Sequence, residues 1–194
     1  MNLEYIKENY IFEKLTEEHN LEDFDCESED LTDFLKNDAL KQQKMHLNLT
    51  HLVVCDGAII GFVSILTDAV KLKIIDDKEA KIEIIEELNI SGNNLIPAIK
   101  IGRFAIDKRY SNKGLGQHIF RNILLSILDI SDNIVGLRFI TLEAYARTCG
   151  FYVDKNKFKY LTKNNDIIRN IETIKQINPE RTIPLYIDLK NIKT

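Results

Sequence analysis

"IGRFAIDKRYSNKGLGQHIF", residues 101–120, runs from an apolar, β-rich stretch through a polar loop into the start of an apolar-periodic helix. The chain has eight glycines, and two of them, Gly114 and Gly116, stand one residue apart where that helix opens. Strand, polar loop, Gly-x-Gly, helix is an arrangement in which backbone N–H groups and the positive end of a helix can face an anion. A side chain at either glycine would obstruct a phosphate, the loop can use the positive φ that glycine tolerates, and Lys113 adds a charge beside them. The same glycines would equally serve a tight turn and close packing of helix on strand. No Gly-Lys-Ser/Thr follows, so this is not a P-loop, and the third glycine of a dinucleotide fingerprint is missing.

Working outward, "GLGQHIFRNILLSILDI" carries Ile119, Ile123, Leu124 and Ile127 on one helical stripe. Upstream, "SEDLTDFLKNDALKQQKM" predicts an amphipathic helix, with Ser28 as N-cap, Glu29 and Asp30 in the first turn, and Leu31, Phe34, Leu35 and Ala39 on one face. "THLVVCDGAIIGFVSIL" predicts two antiparallel strands around Asp56-Gly57, a dipeptide that accommodates a tight hairpin turn. Residues 71–94 are charge-dense, with Ile82, Ile85 and Leu88 at helical spacing, and predict a strand end, a short helix and a loop. "AIKIGRFAID" is a strand, as are "LRFITLEAY" and "RTIPLYIDL", with a short helix over "ARTCGFYVDK" between the last two. The order α, β, β, (α), β, α, β, α, β predicts an α/β chain, with a mixed sheet carrying helices on its faces.

At 194 residues the chain suits one domain with a full core. Its 26 basic against 30 acidic residues give a net charge of −4, without the basic excess that nucleic-acid binding usually draws on. The acidic run Asp76, Asp77, Glu79, Glu83, Glu86 and Glu87 reads as a solvated face; bordering a cleft, it would favour a cationic acceptor and disfavour RNA. Charges interrupt every apolar run at the start, and no run approaches a membrane span. Cys26, Cys55 and Cys149 are odd in number and widely spaced, against a disulfide framework or zinc pairs and for free thiols in a reducing cytoplasm. His19, His46, His51 and His118 show no ligand spacing, so no metal site is expected.

The opening stretch resembles the acetyl-CoA-binding segment of the GNAT N-acetyltransferase superfamily, in which a strand ending in an apolar triplet runs into a Gln/Arg-x-x-Gly-x-Gly/Ala loop and a helix. Here the triplet is Phe104-Ala105-Ile106 and the loop is Ser111-Asn112-Lys113-Gly114-Leu115-Gly116, with Ser111 where the family prefers Gln or Arg. "FYVDKNKF", Phe151 to Phe158, is similar to the family's Phe-Tyr-x-x-x-Gly-Phe signature, one residue longer and without glycine before Phe158; Asn156 could supply a positive φ there. "FDCESEDLTDFLKNDALKQQ" is similar to the N-terminal helix of the GNAT branch that includes the toxins of toxin and antitoxin pairs, and "IPLYIDL" suits that branch's last strand.

The resemblance implies a single GNAT-like domain over residues 1–194, with a central mixed sheet, helices on both faces and splayed middle strands. It implies acetyl-CoA as co-substrate, its pantetheine arm along the backbone of Phe104 to Ile106 and of the strand ending near Glu143, and its pyrophosphate on the glycine loop. An amine would attack the thioester directly; Tyr152 is the family-matched acid for the departing thiolate, Glu143 a candidate base, and Asp107 a structural residue beginning the turn. On the acidic balance, the acceptor expected first is a small-molecule or peptide amine, with tRNA admitted but not favoured, no membrane partner and a homodimer allowed. A toxin-like acetyltransferase of aminoacyl-tRNA and a non-catalytic acyl-CoA-binding module are the alternatives.

Overall fold

The computed structural model describes residues 2–75, 78–162 and 169–192 of the chain. Two compact units divide it, Met1–Thr67 with Ile101–Ile123, and Asp68–Lys100 with Leu124–Thr194.

In the first unit, α1 (Leu3–Asn9) and β1 (Ile11–Lys14) precede everything the sequence suggested. The Asn2 side chain caps α1 by accepting from the Glu4 N–H, and Ile6 is fully buried. The expected amphipathic helix forms in three pieces, α2 (Glu29–Asp33), a π-helical turn over Phe34–Asp38, and α3 (Ala39–Lys44). The Ala39 N–H donates to the Phe34 carbonyl, five residues back, and this wider turn brings both side chains to the inner face. Ser28 stands at the N-cap position but makes no capping bond; the hydroxyl that binds a backbone N–H here is Thr32, which accepts from Cys26 at 3.1 Å.

β2 (Leu49–Cys55) and the start of β3 (Ala58–Lys71) form the expected hairpin. Asp56 and Gly57 take φ of 47° and 74°, the paired left-handed conformation of a tight two-residue turn. β1 runs antiparallel to β2, Ile11 opposite Val54. The core of this unit gathers Leu15, Phe24, Phe34, Leu35, Leu52, Phe62 and Ala105, with Phe62 5.7 Å from Phe24 and 6.1 Å from Phe34 between ring centroids. Burying each such phenylalanine stabilises the fold by about 2–3 kcal/mol.

In the second unit, α4 (Lys78–Leu88) turns Ile84 inward and leaves Ile82 and Leu88 exposed, so the spacing Ile82, Ile85, Leu88 does not mark its buried face. The reason is the company: Ile84 joins Val70, Leu72, Ile75, Ile96, Ala98, Phe139 and Tyr186 in one cluster, with Ile85 packed at its margin. Asp76 and Asp77 of the acidic run lie outside the described residues. β4 (Leu95–Ile106) and α5 (Leu115–Asn133) pass along the chain from one unit to the other, and the α5 stripe Ile119, Ile123, Leu124 and Ile127 is buried as expected.

β5 (Phe139–Tyr145), the two-residue β6 (Lys159–Tyr160), α6 (Ile171–Ile177) and β7 (Thr182–Asp188) complete the second unit. β5 and β7 pair antiparallel from Phe139 opposite Asp188 to Tyr145 opposite Thr182. Asp188, buried, accepts from Arg138 Nη2 at 2.8 Å, and the same nitrogen reaches Glu83 at 3.4 Å. The strands form one seven-stranded mixed sheet in the order β1-β2-β3-β4-β5-β7-β6, flanked by helices. β4 and β5 are neighbours in that order, and the chain passes from one to the other through α5. Among the described residues no helix is long and apolar enough to cross a membrane.

Candidate active site

In the first unit the triplet at the end of β4 alternates as a strand must. Ala105 enters the core, while Phe104 and Ile106 are half-buried, the Phe104 ring 5.2 Å from that of Phe120 on α5. Asp107 then turns the chain, donating its N–H to the Ile60 carbonyl at 2.9 Å. Its carboxylate is fully buried and accepts from the Arg109 N–H (2.9 Å), Arg109 Nε and Nη2 (both 2.8 Å) and the Asp25 N–H (3.3 Å). The structural role expected of Asp107 is what these bonds perform.

Burial pushes the Asp107 carboxyl up, but the Arg109 side-chain bonds and the backbone bonds outweigh it and hold the group below its ordinary 3.8. A carboxyl depressed on folding adds stability above its unfolded pKa, about 4, and loses it as pH falls through the lower folded value. Asp107→Asn should therefore lower stability at pH 7 by about 2 kcal/mol, the scale of charge-assisted bonds lost. Urea midpoints should fall less steeply below pH 4 in the variant than in the parent; equal slopes would remove Asp107 from the acid response.

The loop that follows is bound to its own chain at many points. Lys108 donates its N–H to the Asp25 carbonyl at 2.8 Å and its ammonium to the Asp25 carboxylate. Lys113 Nζ donates to the Arg109 carbonyl at 3.0 Å. Ser111 Oγ and Asn112 Nδ2 both donate to Glu27 Oε1, at 3.0 and 2.6 Å. Asn112 and Gly114 take left-handed φ of 57° and 81°.

The two glycines answer to different needs. A Cβ at Gly114 would meet nothing within 4 Å, so that glycine serves the backbone angle and stands beside open space. A Cβ at Gly116 would lie 3.3 Å from Ile106 Cγ1, so that glycine serves close approach of α5 to the triplet. The first N–H groups of α5, beginning at Leu115, have no acceptor within the helix and carry its positive end. Free N–H groups at a helix N-terminus are of the kind that can face an anion.

In the second unit, Glu143 lies on β5 opposite Pro184, its side chain 49% exposed and its Oε1 accepting from Lys100 Nζ at 2.7 Å. To act as a base it must first release that lysine. Beyond β5 the chain makes a 3-10 turn, Ala146–Thr148, and then a π-helical turn, Phe151–Lys155, where a single short helix was expected. The π turn covers the first five residues of "FYVDKNKF". The left-handed residue is Lys157, φ 63°, directly before Phe158, and not Asn156, whose φ is −111° and whose Nδ2 donates to the Phe151 carbonyl at 2.7 Å. A lysine therefore takes the left-handed conformation directly before Phe158.

Tyr152 sits in this turn with its ring edge-on to Phe151 at 4.9 Å and to Phe158 at 6.1 Å. Burial, and then Cys149, push its phenol well above the ordinary 10. The hydroxyl stays protonated across the physiological range, as a constant hydrogen-bond donor and a weaker acid than a free tyrosine. Cys149, 1% exposed, is pushed up to about 11 by burial. Cys26 and Cys55 are also free and buried.

The triplet and glycine loop lie in the first unit, and Glu143 and Tyr152 in the second. The sequence reading missed Arg109 and Glu27. Asp107 and Arg109 two residues on are legible as a side chain bonding its own turn, whereas Glu27 lies 84 residues from Ser111 and gives no local signal.

Neither a family model nor a curated protein matches the sequence. Solved structures do match. A Tyr→Phe variant of KacT superposes with a TM-score of 0.72 at 17% identity, covering 95% of this chain and 97% of that one. AtaT complexed with acetyl-methionyl-tRNAfMet gives the same 0.72, 17%, 95% and 97%. A Tyr→Phe variant of the AtaT toxin, bound to the C-terminus of the antitoxin AtaR and acetyl-CoA, gives 0.66 at 18% identity, covering 95% and 96%. The AtaT–tRNA complex overturns the expected order of partners, in which a small-molecule or peptide amine came before tRNA. That order rested on net charge, a sum over the whole surface, whereas RNA phosphates meet one face of it. Over 95% of its length the chain has the fold of AtaT and KacT.

Proposed function

We propose that the protein is an acetyl-CoA-dependent N-acetyltransferase of the toxin type, a single domain acting in the cytoplasm on the amino group of an aminoacyl-tRNA and paired with an antitoxin. The observation that carries this reading is the anion-receiving loop at Gly114–Gly116, in a fold that AtaT uses with acetyl-CoA and with acetyl-methionyl-tRNAfMet. The pyrophosphate is received at Ser111 to Gly116, including Asn112, Lys113 and Leu115, and the pantetheine arm runs along Phe104, Ala105 and Ile106. The acceptor nitrogen attacks the thioester carbon, the new C–N bond forms as the C–S bond breaks, and Tyr152 donates to the departing sulfur. The nitrogen gives up a proton, to Glu143 once Lys100 has moved or to water. Lys155, Lys157 and Lys159, all exposed, follow Tyr152 in the chain and form a local basic stretch suited to phosphates within an acidic total.

Incubation with acetyl-CoA and charged tRNA should release free coenzyme A thiol and yield N-acetylated aminoacyl-tRNA. Thiol release with no acetylated product across the charged tRNAs would refute the acceptor, and neither signal would leave a non-catalytic acyl-CoA-binding module. Gly114→Asp tests the loop separately: the space beside Gly114 is open, so the variant folds at a cost of about 1 kcal/mol for the left-handed residue. Its carboxylate then faces the pyrophosphate, and acetyl-CoA affinity measured by calorimetry should drop at least roughly tenfold.

A further inference from the structure

We propose that Glu27 is a positioning residue for acetyl-CoA, clamping the glycine loop in its anion-receiving conformation; this rests on the reading of that loop given above. The loop crosses two left-handed residues, Asn112 and Gly114, within three positions. Asparagine tolerates that conformation at a cost, and such a residue persists where its surroundings hold it. The contact from outside the loop that holds its side chain is a carboxylate. Glu27 Oε1 accepts from Asn112 Nδ2 at 2.6 Å and from Ser111 Oγ at 3.0 Å, while Ser111 Oγ also lies 3.3 Å from the Lys108 carbonyl.

Glu27 can do this because its own segment is anchored on both sides. Before it, Asp25 bonds to Asp107 and to the Lys108 N–H and ammonium; after it, the Ser28 carbonyl accepts from Cys26 Sγ at 3.2 Å and α2 begins. The clamp also accounts for Ser111 standing where the resemblance prefers Gln or Arg. Ser111 and Asn112 turn their side chains to Glu27, which leaves the cofactor to main-chain N–H groups. Ordering those amides before the cofactor arrives removes the entropy of ordering them on binding.

An exposed carboxylate beside a phosphate loop admits the opposite role, repulsion of the incoming pyrophosphate, and conservative substitution separates the two. Calorimetry with acetyl-CoA on the full chain would compare the parent, Glu27→Ala, Glu27→Gln and Gly114→Asp. The clamp predicts roughly five- to tenfold weaker binding for Glu27→Ala, the scale of two hydrogen bonds at a surface. Glu27→Gln keeps an oxygen acceptor in place and should bind within about twofold of the parent. Turnover at saturating acetyl-CoA should stay unchanged in both, so the kinetic defect appears in KM alone, while Glu27→Ala lowers the melting midpoint by only roughly 2–4 °C. Unaltered binding in Glu27→Ala, or tighter binding in both Glu27 variants, overturns the clamp. Full affinity in Gly114→Asp instead overturns the reading of the loop itself, and the clamp with it.

Discussion

Tyr152→Phe should fold as the parent does, bind acetyl-CoA with nearly the same affinity, and turn over roughly 10²-fold more slowly, the usual scale for losing a positioned proton donor. The substitution keeps the ring and with it the edge contacts to Phe151 and Phe158 at 4.9 and 6.1 Å. One hydroxyl is lost, at a stability cost of about 1 kcal/mol. The raised phenol pKa refines how the group would work. With its pKa pushed above 10, Tyr152 is a poor source of a free proton for a thiolate whose conjugate acid lies near 8.5. It is a good hydrogen-bond donor to charge growing on sulfur, and the departing thiolate takes its proton from water. No alkaline loss of activity from this group is therefore expected below about pH 10. If the ring merely packs, Phe will be tolerated and only Tyr152→Ala will suffer, through lost core contacts. Turnover of the Phe variant within about twofold of the parent, with chemistry limiting, would falsify the assignment.

The largest stability loss should come from Gly61→Ala. An added Cβ there would stand 2.6 Å from the Ala105 carbonyl oxygen and 2.8 Å from Ile106 Cδ1, in the triplet itself. The Ile106 methyl can rotate away. The carbonyl cannot, because it is backbone in β4 and the next residue, Asp107, is bonded to Ile60 beside Gly61. Overpacking against a fixed group costs about 3 kcal/mol, which in a chain of this length lowers the melting midpoint by roughly 6–12 °C. Gly136→Ala, where an added Cβ meets nothing within 4 Å, is the matched control. A Gly61→Ala midpoint within about 2 °C of the control would show that β3 and β4 can part without cost. Such a variant should also bind acetyl-CoA poorly, since the displaced backbone is the one proposed to line the pantetheine arm.

Elements with a strong local pattern were legible in the sequence. The Asp56-Gly57 hairpin follows from two residues that accept left-handed angles, and α5 from a stripe long enough to show its period. α1, β1, β6 and α6 were not, because helices of two turns and strands of four residues or fewer show too little of their period and take their shape from what they pair with. In α4, Ile82, Ile84, Ile85 and Leu88 permit more than one helical face, and only the cluster around Leu72 and Phe139 selects Ile84. The stretch at Tyr152 is one residue longer than the signature it resembles, and its path depends on a five-residue π turn that no local propensity announces. Glu27 belongs to the same class, since its partners are fixed by tertiary structure alone.

The buried Cys149 bears on the order of events. With its thiol pushed up to about 11, roughly one molecule in ten thousand carries the thiolate at neutral pH, and the thiolate is the nucleophile. Buried and held as the thiol, Cys149 is a poor nucleophile, which fits direct transfer to the acceptor in the proposed reaction. On the reaction proposed above, donor and acceptor are held together in a ternary complex, and acetyl-CoA bound alone waits for an amine.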